Sequence, residues 1–257
     1  MNVKSDAGSV LPEILREAFA SNTIVDGDGV SRPLEHNITM EQAVVLYKAA
    51  SSLKPWATAE VGFAYGVSAA AITQALRDQG RGVHHVMDPF QQNYHDAGLA
   101  MIRRAGLDAH FVFHRKFAED VFPSLPPLQY VLIDASHLFD LTLTEFVLAD
   151  KRLAVGGMIA FHDLWMPGLQ KLIRFILENR AYEVVRDFDT PEEQPGRVGL
   201  KRRLMEKGRS LLNGLPRAER YFSPELLRPW GDYRLPDLVL LRKTAEDRRP
   251  WEHYRSF

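Results

Sequence analysis

The chain has 257 residues, 46% of them hydrophobic and 25% charged, which is enough for one large α/β domain and too ordinary a mixture for a disordered chain. Lys and Arg number 32 against 33 Asp and Glu, so no global field recruits nucleic acid and no nucleic-acid partner is expected. The absence of cysteine excludes disulfides, thiolate catalysis and cysteine-ligated zinc or iron–sulfur centres.

In chain order, the first ten residues lack an apolar core of signal-peptide length, and no later stretch approaches the roughly 20 apolar residues of a membrane span. A cytoplasmic protein with no membrane partner is the expectation. Leu11, Ile14, Leu15, Ala18 and Phe19 recur at helical spacing and predict an amphipathic helix packed on something larger. A polar loop over 25–33 follows. Thr39 and Gln42 form a capping box for a second helix through Val44, Leu46, Tyr47 and Ala50, which Pro55 stops. Residues 1–55 therefore read as an N-terminal helical appendage, and 56–257 as the main domain.

Residues 57–66, A-T-A-E-V-G-F-A-Y-G, are a short apolar run that opens into a glycine-spaced turn before an alanine-rich helix. Gly62 and Gly66 allow a sharp turn close to a ligand, and Ser68 is placed to cap the helix whose N–H groups face that ligand. A dinucleotide fingerprint needs three close glycines against a pyrophosphate. Here Phe63, Ala64 and Tyr65 fill the interval, which suits a ligand without phosphates, such as S-adenosylmethionine.

From residue 57 onward strand and helix signals alternate, as a parallel sheet requires. The expected strands are Ala57–Val61, Val83–Met87, Ala109–Phe113, Gln129–Asp134, Gly157–Phe161, Tyr182–Phe188 and Asp237–Leu241. Helices are expected at about 68–79, 95–105, 117–122 and 140–150, with another after Asp163 carrying Leu169, Leu172, Ile173, Ile176 and Leu177 on one face. The predicted fold class is α/β: a Rossmann-like, doubly wound, seven-stranded sheet, mostly parallel with the last strand antiparallel. Its ligand belongs at the C-terminal strand edges around the topological switch point. His84 and His85 are adjacent in a strand and point to opposite faces, so they cannot chelate one ion together and read as packing residues.

The last two strands are separated by an insertion over 189–236. Between Arg197 and Arg209 it holds Arg197, Lys201, Arg202, Arg203, Lys207 and Arg209 against Glu206 alone. A loop this long either folds on its own or covers a site. With Leu200, Leu204 and Leu211 as a narrow stripe it reads as a helical lid, the alternative being a solvated basic helix. The C-terminal tail carries Trp251, Tyr254 and Phe257, which suggests docking onto the body or onto a second subunit of a homo-oligomer.

Taken together, Glu60, Gly62, Gly66 and Ser68 after the first strand, Asp88-Pro89-Phe90 after the second, Asp134-Ala135-Ser136-His137 after the fourth, and Gly156-Gly157 through His162-Asp163 around the fifth give a pattern over residues 40–187. It resembles the class I S-adenosylmethionine-dependent methyltransferases, in the small-molecule O-methyltransferase-like branch with D-G-x-H and G-G-x-x-x-x-H-D strand ends. Ala135-Ser136 departs mildly from the usual Gly-containing pair. The resemblance implies that the 56–257 domain binds S-adenosylmethionine through Glu60, Gly62, Phe63, Tyr65, Gly66, Ser68, Asp88, Pro89, Lys116, Phe117, Asp134, Ala135 and Ser136. In this scheme Asp88 accepts both ribose hydroxyls, Lys116 or Phe117 flanks the adenine, and Glu60 meets the amino group of the cofactor or holds the loop through backbone amides.

The catalytic candidates are Asp134, His137, His162 and Asp163. Two readings stay open for them. Asp134, Asp163 and His162 bind Mg²⁺ or another divalent cation that anchors and acidifies a substrate hydroxyl, or His162 or His137 is a general base. A purely structural role is the third alternative. The expected function is O-methylation of a small hydroxylated acceptor such as a sugar, polyketide or phenolic metabolite. Alternatives are N-methylation of a small molecule, an NAD(P)-binding oxidoreductase, and a non-catalytic S-adenosylmethionine-binding protein. The oxidoreductase is disfavoured by the crowded first loop and by the lack of Tyr-x-x-x-Lys in the expected region.

Overall fold

The computed structural model describes residues 7–35, 37–188, 200–222, 224–227 and 235–257. Its centre is one seven-stranded sheet built from β3 (Ala57–Val61), β4 (Val83–Met87), β5 (Phe111–His114), β6 (Leu128–Ile133), β7 (Leu153–Phe161), β8 (Tyr182–Val185) and β9 (Val239–Lys243), in the spatial order β5-β4-β3-β6-β7-β9-β8. All pairings are parallel except those of β9, which runs antiparallel to both β7 and β8. The last strand is thus the antiparallel one, as expected. The strand order reverses between β3 and β6, where a doubly wound sheet opens its ligand crevice.

The central strands are apolar on both faces because helices cover both sides. Tyr130 and Leu132 of β6 enter one core with Val86, Met158 and Ala160, while Val131 and Ile133 enter the other with Val61, Ile159 and Phe161. On the first face lie α3 (Val67–Asp78) and α4 (Ala97–Arg104). On the second lie α5 (Ala118–Val121), α6 (Phe139–Asp150) and α7 (Pro167–Asn179).

The N-terminal segment joins the first face. α1 (Glu13–Ser21) and α2 (Met40–Leu53) bury Leu15, Leu46, Ala49 and Ala50 in the same cluster as Ala70, Ala71 and Ile72 of α3. The Thr39–Gln42 capping box is present: the Gln42 N–H donates to Thr39 Oγ1 at 3.2 Å, and the Thr39 N–H donates to Gln42 Oε1 at 2.8 Å. The polar loop predicted after α1 is instead the turn of a small hairpin, β1 (Thr23–Val25) with β2 (Ser31–Pro33). Asp26 organises it, accepting from the Asp28 and Val30 N–H groups and from Arg32, a local network with no periodicity to reveal it.

Within the insertion, α8 (Leu200–Asn213) and α9 (Pro224–Leu227) are helical, which both the lid and the solvated basic helix require. Arg197 and the rest of 189–199 lie outside the described residues, as do 223 and 228–234. The C-terminal tail docks in part. Phe257 meets the Phe175 ring edge-on at 5.2 Å, and the Asn179 side chain exchanges two 3.0 Å hydrogen bonds with the Arg255 backbone, whereas Trp251 and Tyr254 are exposed.

Candidate active site

The loop between β3 and α3 turns at the sheet's switch point. Gly62 has φ of +91°, and a Cβ there would lie 2.8 Å from the Asp134 carbonyl carbon, closer than real Cβ atoms come to anything. The loop can therefore pass over the end of β6 only with glycine at this position. Gly66, at φ +76°, is the helix N-cap of α3 and packs against Gly98 and the Phe63 ring.

The expectation that Ser68 caps α3 is corrected. The N-cap is Gly66, and the Ser68 hydroxyl turns inward to donate to Glu60 Oε1 at 2.5 Å. Glu60 is 1% exposed, and its other oxygen meets His84 Nε2 at 2.9 Å, while His84 Nδ1 is held by Thr58 Oγ1 at 2.8 Å. Burial pushes the Glu60 carboxyl upward in pKa, against the opposing pull of His84 and Ser68. His84, read from sequence as packing, is therefore a hydrogen-bonded support for Glu60. Its partner lies one strand away, which sequence spacing cannot report. His85 does point elsewhere, pairing with His114 of β5 at 3.2 Å.

The loop's backbone amides are taken not by Glu60 but by Asp88. Asp88 Oδ2 accepts from the Phe63 and Ala64 N–H groups at 3.2 and 3.3 Å, and Oδ1 accepts from Phe90 at 2.7 Å. Gln91, wholly buried and not singled out in the sequence, donates to the Ala64 carbonyl at 2.9 Å and accepts from the Gly98 N–H, so both ends of its amide brace the loop. The Phe63 ring packs between Phe111 and Phe113 and Tyr65 lies edge-on to Tyr94, so both are also packing residues.

A small open cavity runs along this loop, lined by Glu60, Gly62, Phe63, Ala64, Tyr65, Val67, Ser68 and Asp134, with Asn37 and Ile38 contributed by the segment before α2. Asn37 and Ile38 carry no motif, so only the tertiary fold brings them here. Outside the cavity lining, Phe117, the N-cap of α5, meets Phe90 edge-on at 5.7 Å, and both rings are about half exposed. Pro89 forms the turn beneath them, Lys116 is exposed next to Phe117, and Ala135 and Ser136 are half-buried where β6 ends.

Next to the cavity, the ends of β6 and β7 converge. His137 Nε2 lies 3.1 Å from Asp134 Oδ1 and 3.0 Å from Asp163 Oδ2, bridging the two carboxylates. His162 Nδ1 lies 3.6 Å from each of the same aspartates, and its Nε2 is 3.4 Å from Asp237 Oδ2. All four catalytic candidates thus form one cluster. His137 and Asp163 adopt left-handed backbone, φ +57° and +59°, a cost of about 1–3 kcal/mol each that tends to be stored at functional sites. Burial works to raise the Asp134 carboxyl, but His137 and His162 hold it down at about 2. The hydrogen bond to Asp134 raises His137; burial lowers His162, but Asp134, Asp163 and Asp237 together carry it above the ordinary histidine value. Asp134, His162 and Asp163 each offer a ligand atom within 4.8 Å of the others, a donor set of two carboxylates, which suit a hard divalent cation, and an imidazole, which suits a borderline one. Trp165 completes the rim: its indole N–H donates to Asp163 Oδ1 at 2.9 Å while its ring is exposed, as are Leu138 and Leu141.

Residues 59–164 match the model of a family described as a methyltransferase domain. No curated protein matches the sequence significantly. Among solved structures, the fold is similar to cofactor-bound Rv0187 from MTB (TM-score 0.56, 15% identity, 71% of this chain and 83% of that one). It is also similar to an O-methyltransferase from Bacillus cereus in complex with SAH (0.54, 17%, 69% and 82%). A third is the O-methyltransferase TomG from Streptomyces achromogenes, involved in tomaymycin synthesis and solved with SAM (0.53, 15%, 71% and 82%). At these identities the likeness is one of fold. Residues 59–164 thus carry a sequence match to a methyltransferase domain, and the sheet around them is Rossmann-like.

Proposed function

We propose that the protein transfers the methyl group of S-adenosylmethionine to a hydroxyl oxygen of a small acceptor bound beside Asp134, His137, His162 and Asp163. The observation that carries this reading is the position of that cluster, at the ends of β6 and β7 with Asp134 shared between it and the loop cavity. Methyl transfer from a sulfonium is an in-line displacement, so the protein's contribution is alignment and charge. Gly62 and the Asp88-braced loop would hold the cofactor's methionine end, and Phe90 and Phe117 would lie beside its adenine. Asp134 and Asp163, with His162, would hold a divalent cation. When bound, such a cation supplies Lewis acidity that lowers the pKa of a coordinated hydroxyl.

The cation reading is favoured over His162 as a free general base by the donor set: Asp134, Asp163 and His162 each offer a ligand atom within 4.8 Å of the others.

The experiment has two stages. Calorimetry should show S-adenosylmethionine and its demethylated product binding and NAD not binding. Incubation with a panel of hydroxylated acceptors, followed by mass spectrometry, should then give an O-methylated product whose formation a chelator stops and Mg²⁺ restores. Chelator-resistant turnover together with a loss of about 10²–10⁴-fold in His162→Ala would replace the cation with the general base.

A further inference from the structure

Asp237 lies where the chain returns from the insertion into β9, and three contacts tie it to the loop after β7. Its backbone carbonyl accepts the Leu164 N–H at 3.1 Å, its Oδ1 accepts the Trp165 N–H at 3.3 Å, and its Oδ2 lies 3.4 Å from His162 Nε2. The imidazole of His162 is enclosed, with 11% of its side chain exposed, so its orientation is set by these neighbours rather than by water. On the opposite side of the ring, Nδ1 stands 3.6 Å from Asp134 Oδ2 and from Asp163 Oδ2, while His137 Nε2 holds Asp134 Oδ1 at 3.1 Å and Asp163 Oδ2 at 3.0 Å. Asp237 is therefore the carboxylate nearest to the His162 ring and, of the three, the one that no other imidazole engages among the described residues.

We infer that Asp237 is a positioning residue for His162. It accepts a hydrogen bond from the Nε2–H, fixes the ring and its tautomer, and turns the Nδ1 lone pair toward the space between Asp134 and Asp163, where a cation or the acceptor hydroxyl is met. The tautomer of a histidine follows from the hydrogen bond that its other nitrogen makes, and a carboxylate behind a working imidazole is a recurrent device. The inference rests on the methyl-transfer reading of the site. It adds that the return of the insertion is anchored on a working side chain.

The test uses the full chain, labelled with nitrogen-15 and saturated with S-adenosylhomocysteine. Long-range proton–nitrogen correlation spectra are recorded above the histidine titration range, and the His162 signals are identified by their loss in His162→Gln. The native protein should show His162 protonated at Nε2 with Nδ1 bare. Asp237→Ala should convert it to a mixture of tautomers, and Asp237→Asn, whose amide carbonyl accepts the same proton, should retain the native pattern. A proton on Nδ1 in the native protein, or an unchanged pattern in Asp237→Ala, would overturn the inference. The native measurement decides even if a variant fails to fold. Calorimetry on the same samples separates the two readings: native protein that does not bind S-adenosylhomocysteine defeats the methyl-transfer reading, whereas tight binding with the wrong tautomer defeats only the role of Asp237.

Discussion

Replacing Gly62 by Ala isolates the close approach on which the cofactor loop depends. Two costs add at this position. Left-handed backbone at φ +91° is unfavourable for any L-residue by about 1–2 kcal/mol. The new Cβ would also sit 2.8 Å from the Asp134 carbonyl carbon and 3.1 Å from the Ala135 Cα, both backbone atoms that cannot rotate away. Forcing a methyl into such a space costs about another 1–3 kcal/mol and displaces the loop from the end of β6. Gly29, at φ +83° in the hairpin turn with nothing within 4 Å of its hypothetical Cβ, is the matched control for the first cost alone. Gly29→Ala should lower the melting temperature by roughly 2–8 °C, using about 2–4 °C per kcal/mol for a chain of this size, and leave S-adenosylhomocysteine affinity unchanged. Gly62→Ala should lower it by roughly twice as much and weaken S-adenosylhomocysteine binding by at least about tenfold in calorimetry, since an ångström of misplacement at a site is costly. If Gly62→Ala melted like Gly29→Ala and bound the ligand within about twofold of the native affinity, the reasoning would be refuted.

Three further outcomes follow from the geometry. Stability of the ligand-free protein should fall in acid because Asp134, held at about 2 against an ordinary 3.8, stabilises above its unfolded value and loses that contribution, about 2 kcal/mol, as pH drops through the interval. His137 and His162 are shifted the opposite way, so their share is present below the ordinary histidine value and is lost as pH rises through the raised ones. Urea melts of native protein and Asp134→Asn across pH should therefore converge in acid, and parallel acid limbs would contradict the assignment. Asp150→Ala should cost about 3–5 kcal/mol and leave ligand affinity intact. It removes the carboxylate that holds Tyr182 Oη at 2.6 Å together with Arg180 and the buried Lys243, at the other end of the sheet; a loss under about 1 kcal/mol would show that these cations find other partners. Glu60→Gln should weaken S-adenosylhomocysteine binding by about tenfold or more, because the amide cannot accept from both Ser68 and His84; equal affinity would reduce Glu60 to packing.

Much of this molecule is legible in one dimension. Parallel strands buried on both faces read as short apolar runs between helical patterns, so the succession of strands along the chain could be named from spacing, and the family resemblance picked out the polar residues at their ends. Gly62 and Gly66 announced their left-handed backbone, and Asp134, His137, His162 and Asp163 were recognisable as strand-end residues before any contact was known. Pairings across strands were not legible. Glu60 needs His84 from the next strand, the loop amides go to Asp88 rather than to Glu60, and Ser68 turns from the helix cap to Glu60. Gln91 clamps the loop from a short turn with no periodicity, Asn37 and Ile38 reach the cavity from the N-terminal layer, and Asp237 meets His162 across 75 residues of chain. Local periodicity and turn chemistry act within a few residues and survive in the sequence as patterns. A hydrogen bond between residues far apart depends on sheet register and on which face a strand presents, and those are decided only when the whole core packs.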